Sequence, residues 1–306
     1  MAENSKIEWC DHTVNLWWGC SKVHTGCKNC YAEVLSDTRY QKNLWGEKGG
    51  RQRIKSAFND LDKYQKQASA ENKLLKIFCG SMMDIFEASK YLINPTEDIV
   101  DSRHDTHDIK YTGDLRNQLF QRITDGKYNN LIFLFLTKRP ENIDKFIPLT
   151  WLANAPKNVW FGTSISDQIT ANLMVKTLVR TGQNNLFLSM EPQVSWISLK
   201  WTPDLVQVEM PDILDSRKKW PCYENFTKMK WIIQGGESGS NKRPFDINWA
   251  YSMKDDCESG HIQYFFKQID KIQPVPNDLL IRQFPEFQSF DGKIKTEATW
   301  ATRSTL

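Results

Sequence analysis

Short, nearly continuous hydrophobic runs recur along this chain of 306 residues, and each run ends in polar residues. The apolar part of each run is about four to six residues long, which is the length of a buried strand. Such runs are typical of parallel strands that are covered on both faces. The runs are "KIFCGSMMD" (76–84), "LIFLFLTKRP" (131–140), "VWFGTSISD" (159–167), "LFLSMEP" (186–192), "WIIQGGESGS" (231–240) and "IQYFFKQ" (262–268).

Most of the segments between these runs are long enough for a crossover helix. The clearest is "DQITANLMVKTLVRTG" (167–182), in which Gly182 is a fitting stop signal. Its apolar residues near helical spacing are Ile169, Leu173, Val175, Leu178 and Val179. Alternating strands and helices predict an α/β fold with a parallel sheet, either an open doubly wound sheet or a full or partial barrel. Without repeats or long linkers, the sequence predicts a single domain over residues 1–306.

Two segments do not fit the alternating pattern. Residues 91–126 are partly polar, and residues 201–229 contain three prolines and show no clear period. We interpret both as irregular insertions, each of which could serve as a lid or a substrate-recognition loop. His104 and His107 in the first insertion could bind a metal, although an exposed histidine pair needs further ligands to form a site.

Polar residues stand at the C-terminal end of every hydrophobic run. In barrels and in open α/β sheets alike, ligands bind at the carboxyl ends of the strands. The pattern therefore predicts one site that gathers carboxylates, cations and hydroxyls, whereas the alternative is a set of ordinary solvated loops. These residues are Ser81, Asp84, Thr137, Lys138, Arg139, Thr163, Ser164, Ser166, Glu191, Glu237, Ser238, Lys267 and Gln268.

Composition narrows the class of protein only slightly. The formal net charge of +3 permits a nucleic-acid partner without arguing for one, and the twelve tryptophans are expected mainly in the core. The basic segment "GEKGGRQRIK" (46–55) could supply part of a DNA-binding surface or be a solvated loop. No apolar stretch is long enough to span a membrane, and "MAENSKIEWCDHT" lacks a signal-peptide core, so we expect a cytoplasmic protein of a bacterial host.

Three of the seven cysteines lie close together in "NLWWGCSKVHTGCKNCYAE" (15–33). In a reducing compartment, clustered cysteines are metal ligands or catalytic groups more often than disulfides. A structural zinc site needs four ligands, and no second CxxC or HxxxH follows to complete one. The three cysteines are Cys20, Cys27 and Cys30, and the candidates for a fourth zinc ligand are His24, Cys10 and Cys79.

A four-iron–four-sulfur (4Fe-4S) cluster offers a different explanation for three thiols. Cysteine thiolates hold such clusters, and three of them leave one iron without a protein ligand. An open coordination position is typical of a catalytic rather than a structural site. We therefore predict that Cys20, Cys27 and Cys30 are cluster ligands.

Several motifs together resemble, in order, a phage- and prophage-associated family with a three-cysteine motif, which is generally placed near the radical S-adenosylmethionine (SAM) enzymes. The resemblance runs from about residue 7 to residue 268. The motifs are "IEWCDHTVNLWWGCSKVHTGCKNCYAE", "CGSMMDIFE", "FLTKRPENI", "VWFGTSISDQ", "LSMEP", "IIQGGESG", "RPFDINWAYSMKDDC" and "FFKQ".

This resemblance implies a partial (β/α) barrel of the radical SAM type, a 4Fe-4S cluster and SAM as the second cofactor. In radical SAM enzymes the open iron binds SAM, whose reductive cleavage gives a 5′-deoxyadenosyl radical that abstracts a substrate hydrogen. Lys138 or Arg139 would pair with a carboxylate of SAM or of the substrate. The candidate cofactor contacts are Ser81, Asp84, Lys138, Ser164, Glu191, Gly236 and Glu237.

The chain departs from the common radical SAM pattern in three places. Its cysteine spacing is C-x6-C-x2-C instead of C-x3-C-x2-C, and Asn29 stands where an aromatic residue is usual. "CGSMMD" replaces the usual "GGE" after the second strand, and Gly235-Gly236-Glu237 comes much later.

The substrate is the least determined part of the prediction. "LTKRP" and "TSIS" are loosely similar to spore photoproduct lyase, which together with the phage association points to DNA or a modified nucleobase such as a modified thymine. A base in duplex DNA would have to be extruded from the stack. An external electron donor and a partner protein are further candidate partners.

Two alternatives of other classes stay open. One is a zinc-stabilised nucleic-acid-binding protein without catalysis. The other is a metal-dependent nuclease or hydrolase that uses Asp84, Glu191 and Glu237 and leaves the three cysteines unexplained.

Overall fold

A parallel β-sheet forms the centre of the molecule. The computed structural model describes residues 5–97, 108–199, 228–238 and 241–299. In that part of the chain the strands are β1 (His12–Val14), β2 (Trp17–Trp18), β3 (Gln52–Arg53), β4 (Leu75–Cys79), β5 (Tyr91–Glu97), β6 (Asp108–Tyr111), β7 (Leu131–Thr137), β8 (Val159–Ser164), β9 (Leu186–Met190), β10 (Trp231–Gly235) and β11 (Gln263–Gln268). The helices there are α1 (Tyr31–Glu33), α2 (Ala57–Ala70), α3 (Thr112–Thr124), α4 (Ile143–Phe146), α5 (Gln168–Arg180) and α6 (Ile247–Gly260). Shorter helical turns are Thr25–Cys27, Val34–Arg39, Pro140–Asn142, Leu149–Trp151 and Asn277–Leu279.

Seven of the described strands pair in the order β1-β4-β7-β8-β9-β10-β11, and every neighbouring pair is parallel. The order in the sheet is the order in the chain, and the curled sheet forms a half-barrel. The predicted α/β fold with a parallel partial barrel is therefore confirmed. The carboxyl ends are in register, with Thr137 opposite Thr163 and Ser164 opposite Ser189. We call this carboxyl-terminal edge of the sheet the mouth of the half-barrel.

Apolar layers cover both faces of the sheet. Successive side chains of a strand point to opposite faces. In β7, Phe133 joins the layer that packs against the helices, whereas Ile132 joins a second layer rich in tryptophan. Trp160 and Trp231 are almost fully buried in this second layer, and Phe287, from the segment after β11, packs against both rings. The expectation that tryptophans lie mainly in the core holds at these positions.

The best-defined of the predicted helices is α5. Asp167 caps its N-terminus by accepting a hydrogen bond of 2.9 Å from the Thr170 amide, and Gly182 follows its C-terminus with a φ of +66°. The buried face differs from the prediction, because Ile169 is 79% exposed and Leu173 is 54% exposed. The apolar residues that α5 buries are Ala171, Met174, Val175 and Leu178, which form the usual helical stripe.

The first predicted insertion is narrower than residues 91–126. Within the described part of this segment, β5 and β6 lie outside the parallel sheet, and they pair with each other in antiparallel fashion. The residues that follow form α3, a crossover helix between β4 and β7. Leu115, Leu119 and Ile123 recur every four positions and are buried. The polar residues between them hide this helical stripe in the sequence.

Some predictions fall on residues that the structure does not describe. The second insertion (201–229) lies outside the described residues except for its last two, and His104 and His107 lie outside them entirely. In the part of the chain that is described, no helix has both the length and the apolar character needed to cross a membrane.

Candidate functional site

Residues 19–30, which we call the cysteine loop, carry the three cysteines of the predicted cluster site. Gly19 opens the loop with a φ of +117°, and a Cβ at this position would lie 2.6 Å from the Leu44 carbonyl oxygen. Glycine alone fits this conformation and this space. The three sulfur-bearing residues are Cys20, Cys27 and Cys30.

Side-chain contacts tie the cysteine loop, together with the residue after it, to the mouth of the half-barrel. They reach residues that follow four different strands, namely β4, β7, β8 and β10. The contacts are Tyr31 Oη to the Ser81 carbonyl oxygen (2.7 Å), Arg139 Nη1 to Cys20 Sγ (3.7 Å), Thr25 Oγ1 to Asp167 Oδ2 (2.5 Å) and Asn29 Nδ2 to Glu237 Oε2 (3.1 Å). The loop is thereby held where parallel α/β sheets bind their ligands.

The three cysteines of the loop are free thiols. Cys27 is buried, whereas Cys20 and Cys30 are partly exposed. Burial raises the pKa of Cys20 to about 12, and the Asp84 carboxylate adds to the rise while the Arg139 guanidinium opposes it. Cys20 therefore keeps its proton at neutral pH unless a metal ion displaces it.

Within the described residues, no three His, Cys, Asp or Glu side chains are grouped as they would be around a metal ion. Ligation by Cys20, Cys27 and Cys30 thus stays a prediction. The chemistry of the donors fits an iron–sulfur cluster, because thiolates are its usual ligands and none of these thiols is used in a disulfide.

One buried polar atom at the mouth and one in the cysteine loop have no hydrogen-bond partner in the described structure. They are Ser164 Oγ, at the last residue of β8, and His24 Nε2 in the loop itself. The loop packs on the segment after β8, since a Cβ at Gly26 would lie 2.0 Å from Ser166 Oγ. The pKa of His24 is lowered to about 4, mainly by burial and to a smaller extent by the charge of Lys138. The ring is therefore neutral at pH 7. Buried groups of this kind usually find a ligand or a water, so both are suited to contact a bound cofactor.

Asp84, a predicted cofactor contact, is fully used within the protein. A carboxylate has about four acceptor sites, and Asp84 fills them with donors from the loops after β4 and β7. Its role in the structure is to hold these two loops together. The donors are the Phe86 amide (3.0 Å), Thr137 Oγ1 (2.7 Å), the Lys138 amide (3.0 Å) and Arg139 Nη1 (2.8 Å).

The other two predicted carboxylates at the mouth each pair with a cation of the chain. Glu237 accepts hydrogen bonds of 2.6 Å from the amide and from Nη2 of Arg243, and Glu191 pairs with Lys267. Burial would raise the pKa of Glu237, but the bonds from Arg243 and Asn29 outweigh it and hold the pKa below its ordinary value. These carboxylates are thus paired with cations of the chain in this structure, and the hydrolase alternative stays a prediction.

Two more of the predicted cofactor contacts, Ser81 and Gly236, have contacts within the protein. Ser81 Oγ accepts a hydrogen bond of 2.8 Å from Asn15, and the Ser81 carbonyl oxygen is taken by Tyr31. A Cβ at Gly236 would lie 2.1 Å from the Ile269 carbonyl oxygen, so this glycine allows close backbone approach. Of the predicted hydroxyl and carboxylate contacts, Ser164 is the one whose polar atom has no hydrogen-bond partner in the described structure.

Comparison with known protein families places the chain in a group without an assigned activity. A family model described as "Protein of unknown function (DUF5131)" matches residues 4–112 and 90–298. The chain belongs to this family. The DUF5131 match covers the cysteine loop and all strands of the parallel sheet. No curated protein and no solved structure matches the chain. Membership in DUF5131 does not imply radical SAM chemistry or a phage association. Both stay predictions.

A buried ion pair beneath the cysteine loop was not predicted from the sequence. Arg51 is fully buried and binds Glu87 through two hydrogen bonds of 2.7 Å, from Nε and Nη2. The Ser21 hydroxyl, in the cysteine loop, donates to the same carboxylate at 2.7 Å. "CGSMMDIFE" contains Glu87, but its partner lies 36 residues away, so no local pattern reveals the pair.

The same pair reduces the basic surface that residues 46–55 could supply, because two of the four cations in this segment are buried. Arg51 is 0% exposed and Arg53 is 6% exposed, so neither side chain is available to a phosphate backbone. The bidentate partner explains why Arg51 is buried, since a guanidinium can be desolvated only when its donors are satisfied. Lys48 and Lys55 of this segment are exposed, and further exposed cations lie on and after the cysteine loop, at Lys22, Lys28, Arg39 and Lys42.

Proposed function

We propose that this protein is a radical SAM enzyme whose 4Fe-4S cluster is held by Cys20, Cys27 and Cys30. The observation that carries the proposal is the position of the cysteine loop, which is bonded to residues that follow β4, β7, β8 and β10. A cluster on this loop would face the mouth of the half-barrel, where a substrate can bind. When bound, such a cluster supplies an electron for SAM cleavage and an iron that can bind SAM.

The chain's own residues would bind and orient SAM. Ser164 Oγ and His24 Nε2 are buried polar atoms without a hydrogen-bond partner in the described structure. The Ser164 hydroxyl can donate or accept, whereas His24 Nδ1 accepts from the Gly26 amide, so Nε2 of the neutral ring carries the proton and can donate to a hydroxyl or carboxylate group. Lys138 follows β7 and is our candidate for pairing with a carboxylate of SAM or of the substrate. Arg139 is not available for this task, because it already binds Asp84.

A nucleic acid is the substrate class that the surface beside the site supports. Lys42 Nζ lies 5.3 Å from the Trp18 ring centroid, and the Arg39 guanidinium lies 5.8 Å from that of Tyr40. Tyr40 is 50% exposed and its ring is 6.0 Å from Trp18. Aromatic rings next to cations are the features with which proteins hold single-stranded or extruded bases. A modified thymine in phage DNA is thus the first substrate to test, in a reducing cytoplasm with an external electron donor.

Anaerobic reconstitution tests the enzyme class. The protein is reconstituted with iron and sulfide, reduced with dithionite and incubated with SAM, and 5′-deoxyadenosine is measured by mass spectrometry. We expect a brown protein that cleaves SAM, and loss of both properties in Cys30→Ala. The matched control is Cys257→Ala, which removes a buried thiol in α6 and should leave cluster content and cleavage intact.

The opposite result would identify the alternative. A colourless protein with stoichiometric zinc and no SAM cleavage would mean that the cysteines are structural. The zinc-stabilised nucleic-acid-binding protein would then replace the radical SAM enzyme as the proposed function.

A further inference from the structure

The Arg139 guanidinium lies between the cysteine loop and the carboxylates beneath it. Its side chain is 9% exposed, so its donors must be satisfied inside the protein. Two of the groups around it belong to the start of the cysteine loop, and two are carboxylates. They are Cys20 Sγ (3.7 Å from Nη1), the Ser21 carbonyl oxygen (2.9 Å from Nη2), Asp84 Oδ2 (2.8 Å from Nη1) and Glu87 Oε1 (3.6 Å from Nη2).

The Asp84 and Glu87 carboxylates hold the Arg139 guanidinium in a fixed position. Asp84, its main partner, also binds Thr137 Oγ1 and the Lys138 amide, so the carboxylate cannot turn away. Glu87 is fixed in turn by Arg51. Because the guanidinium is planar and rigid, anchoring it on these carboxylates also fixes where its remaining N–H groups point.

We propose that Arg139 is a positioning residue for Cys20. It fixes the Cys20–Ser21 end of the cysteine loop at the mouth and, when Cys20 is a cluster ligand, donates to the ligand sulfur. The second half of this inference rests on the proposed function, whereas the first half concerns the protein without a cluster.

Two consequences follow from the contacts. Loss of the bond to the Ser21 carbonyl oxygen should allow the first part of the loop to open more often. Loss of a cationic donor beside a ligand sulfur should make the cluster harder to reduce, because hydrogen bonds and positive charge near the sulfurs raise the reduction potential.

The test compares Arg139→Met and Arg139→Lys with Arg116→Met. Arg116 is a matched control, since it is also buried and donates to two backbone carbonyls, those of Ile85 (3.2 Å) and Glu87 (3.1 Å), and not to a cysteine. Trypsin cleavage after the exposed Lys22 and Lys28 is followed in the metal-free proteins, with circular dichroism to confirm folding. Midpoint potentials are then measured on the reconstituted proteins.

We expect Arg139→Met to be cleaved about fivefold faster in the cysteine loop than wild type, as when one hydrogen bond opposing local opening is lost. Its midpoint potential should be more negative. Arg139→Lys keeps the positive charge, but a lysine cannot bind Asp84 and the Cys20–Ser21 end of the loop at the same time. The cysteine loop should therefore be cleaved as fast as in the Met variant, while the midpoint potential stays nearer to that of wild type.

The proposal is overturned if the folded Arg139 variants match Arg116→Met in both cleavage rate and potential. If Arg139→Met does not fold, the Lys variant decides by the same comparison. If wild-type protein takes up no iron, the proposed function fails, and the cleavage rates of the metal-free proteins alone decide whether Arg139 positions the loop.

Discussion

Asn29 and Glu237 are 208 residues apart in the sequence, and the Asn29 amide donates a hydrogen bond of 3.1 Å to the Glu237 carboxylate. The same amide donates to the Asn241 carbonyl oxygen at 2.9 Å. Arg243, which binds Glu237, also reaches the Thr25 carbonyl oxygen at 3.3 Å. The loop after β10 thus closes on the cysteine loop through a polar clasp. By resemblance, radical SAM enzymes usually have an aromatic residue where this chain has Asn29.

The clasp predicts a pH-dependent effect of Glu237→Gln. The substitution removes the anion that Arg243 and Asn29 bind, and we expect a loss of about 1–3 kcal/mol in the free energy of unfolding at pH 7. Burial would raise the pKa of Glu237, but Arg243 and Asn29 hold it below its ordinary value of 4.5. The carboxylate therefore stabilises the fold above its unfolded pKa, and this contribution is lost as the pH falls through the folded pKa.

Thermal unfolding at several pH values checks this prediction. The difference in Tm between wild type and Glu237→Gln should be largest at neutral pH and shrink below the ordinary pKa of 4.5. The control is Glu286→Gln, because Glu286 lies on the surface, 4.0 Å from Lys295, and also accepts a hydrogen bond of 2.6 Å from the neutral Gln288 amide. A difference that stays constant with pH would show that the clasp does not depend on the charge of Glu237.

How far the fold could be predicted depended on how much of each element is buried on both faces. The run "LIFLFLT" is apolar at nearly every position because β7 has a core on each side. The strand could therefore be recognised from the sequence. β1 has only three residues and shows no such run. Phe287 packs in the tryptophan-rich layer from a segment without any period, so no pattern could place it there.

Gly236→Ala separates packing from cofactor binding. The new Cβ would lie 2.1 Å from the Ile269 carbonyl oxygen. Because this oxygen belongs to the backbone, relieving the overlap would require the backbone to shift. We expect a loss of about 1–3 kcal/mol or more in unfolding free energy, as for other overpacked sites. Gly235→Ala is the control, with its closest contact at 3.2 Å and a smaller expected loss. Unchanged stability with lost SAM binding would instead make Gly236 a cofactor contact.

Glu87→Gln tests the buried ion pair beneath the cysteine loop. The substitution leaves the fully buried Arg51 without its counter-ion, and we expect a loss of about 3–5 kcal/mol in the free energy of unfolding. Glu47→Gln is the matched control, because its pair with Lys90 is exposed and should contribute little to the free energy of unfolding. Denaturant unfolding measures both losses. Equal losses in the two variants would contradict a stabilising role for the buried pair.

The location of the candidate site could be predicted, but the partners within it could not. The rule that ligands bind at the carboxyl ends of strands placed Glu191 and Glu237 correctly at one mouth. Lys267 was also predicted at this mouth, but its pairing with Glu191, 76 residues away in the chain, was not. Because such pairs depend on which loops meet in space, residue type alone could not separate a structural carboxylate from one that is left for a ligand.

Ser164→Ala is the most direct test of the cofactor side of the site. Ser164 and Thr163 are neighbours in β8 and point to opposite faces of the sheet. Thr163 Oγ1 is satisfied by the Thr137 carbonyl oxygen at 3.0 Å and lies beside Met174 of α5. Ser164 Oγ is buried without a partner, so its removal should leave the free energy of unfolding unchanged or slightly raised.

If Ser164 binds SAM, Ser164→Ala should weaken the SAM affinity of the reconstituted protein by about tenfold, the effect of one lost hydrogen bond to a charged group. Thr163→Val is the control. It should lower the free energy of unfolding by about 1 kcal/mol and leave the SAM affinity unchanged. Isothermal titration calorimetry and thermal unfolding measure the two quantities. Unchanged affinity in Ser164→Ala would remove this hydroxyl from the cofactor site and leave Lys138 and His24 as the candidates to bind SAM.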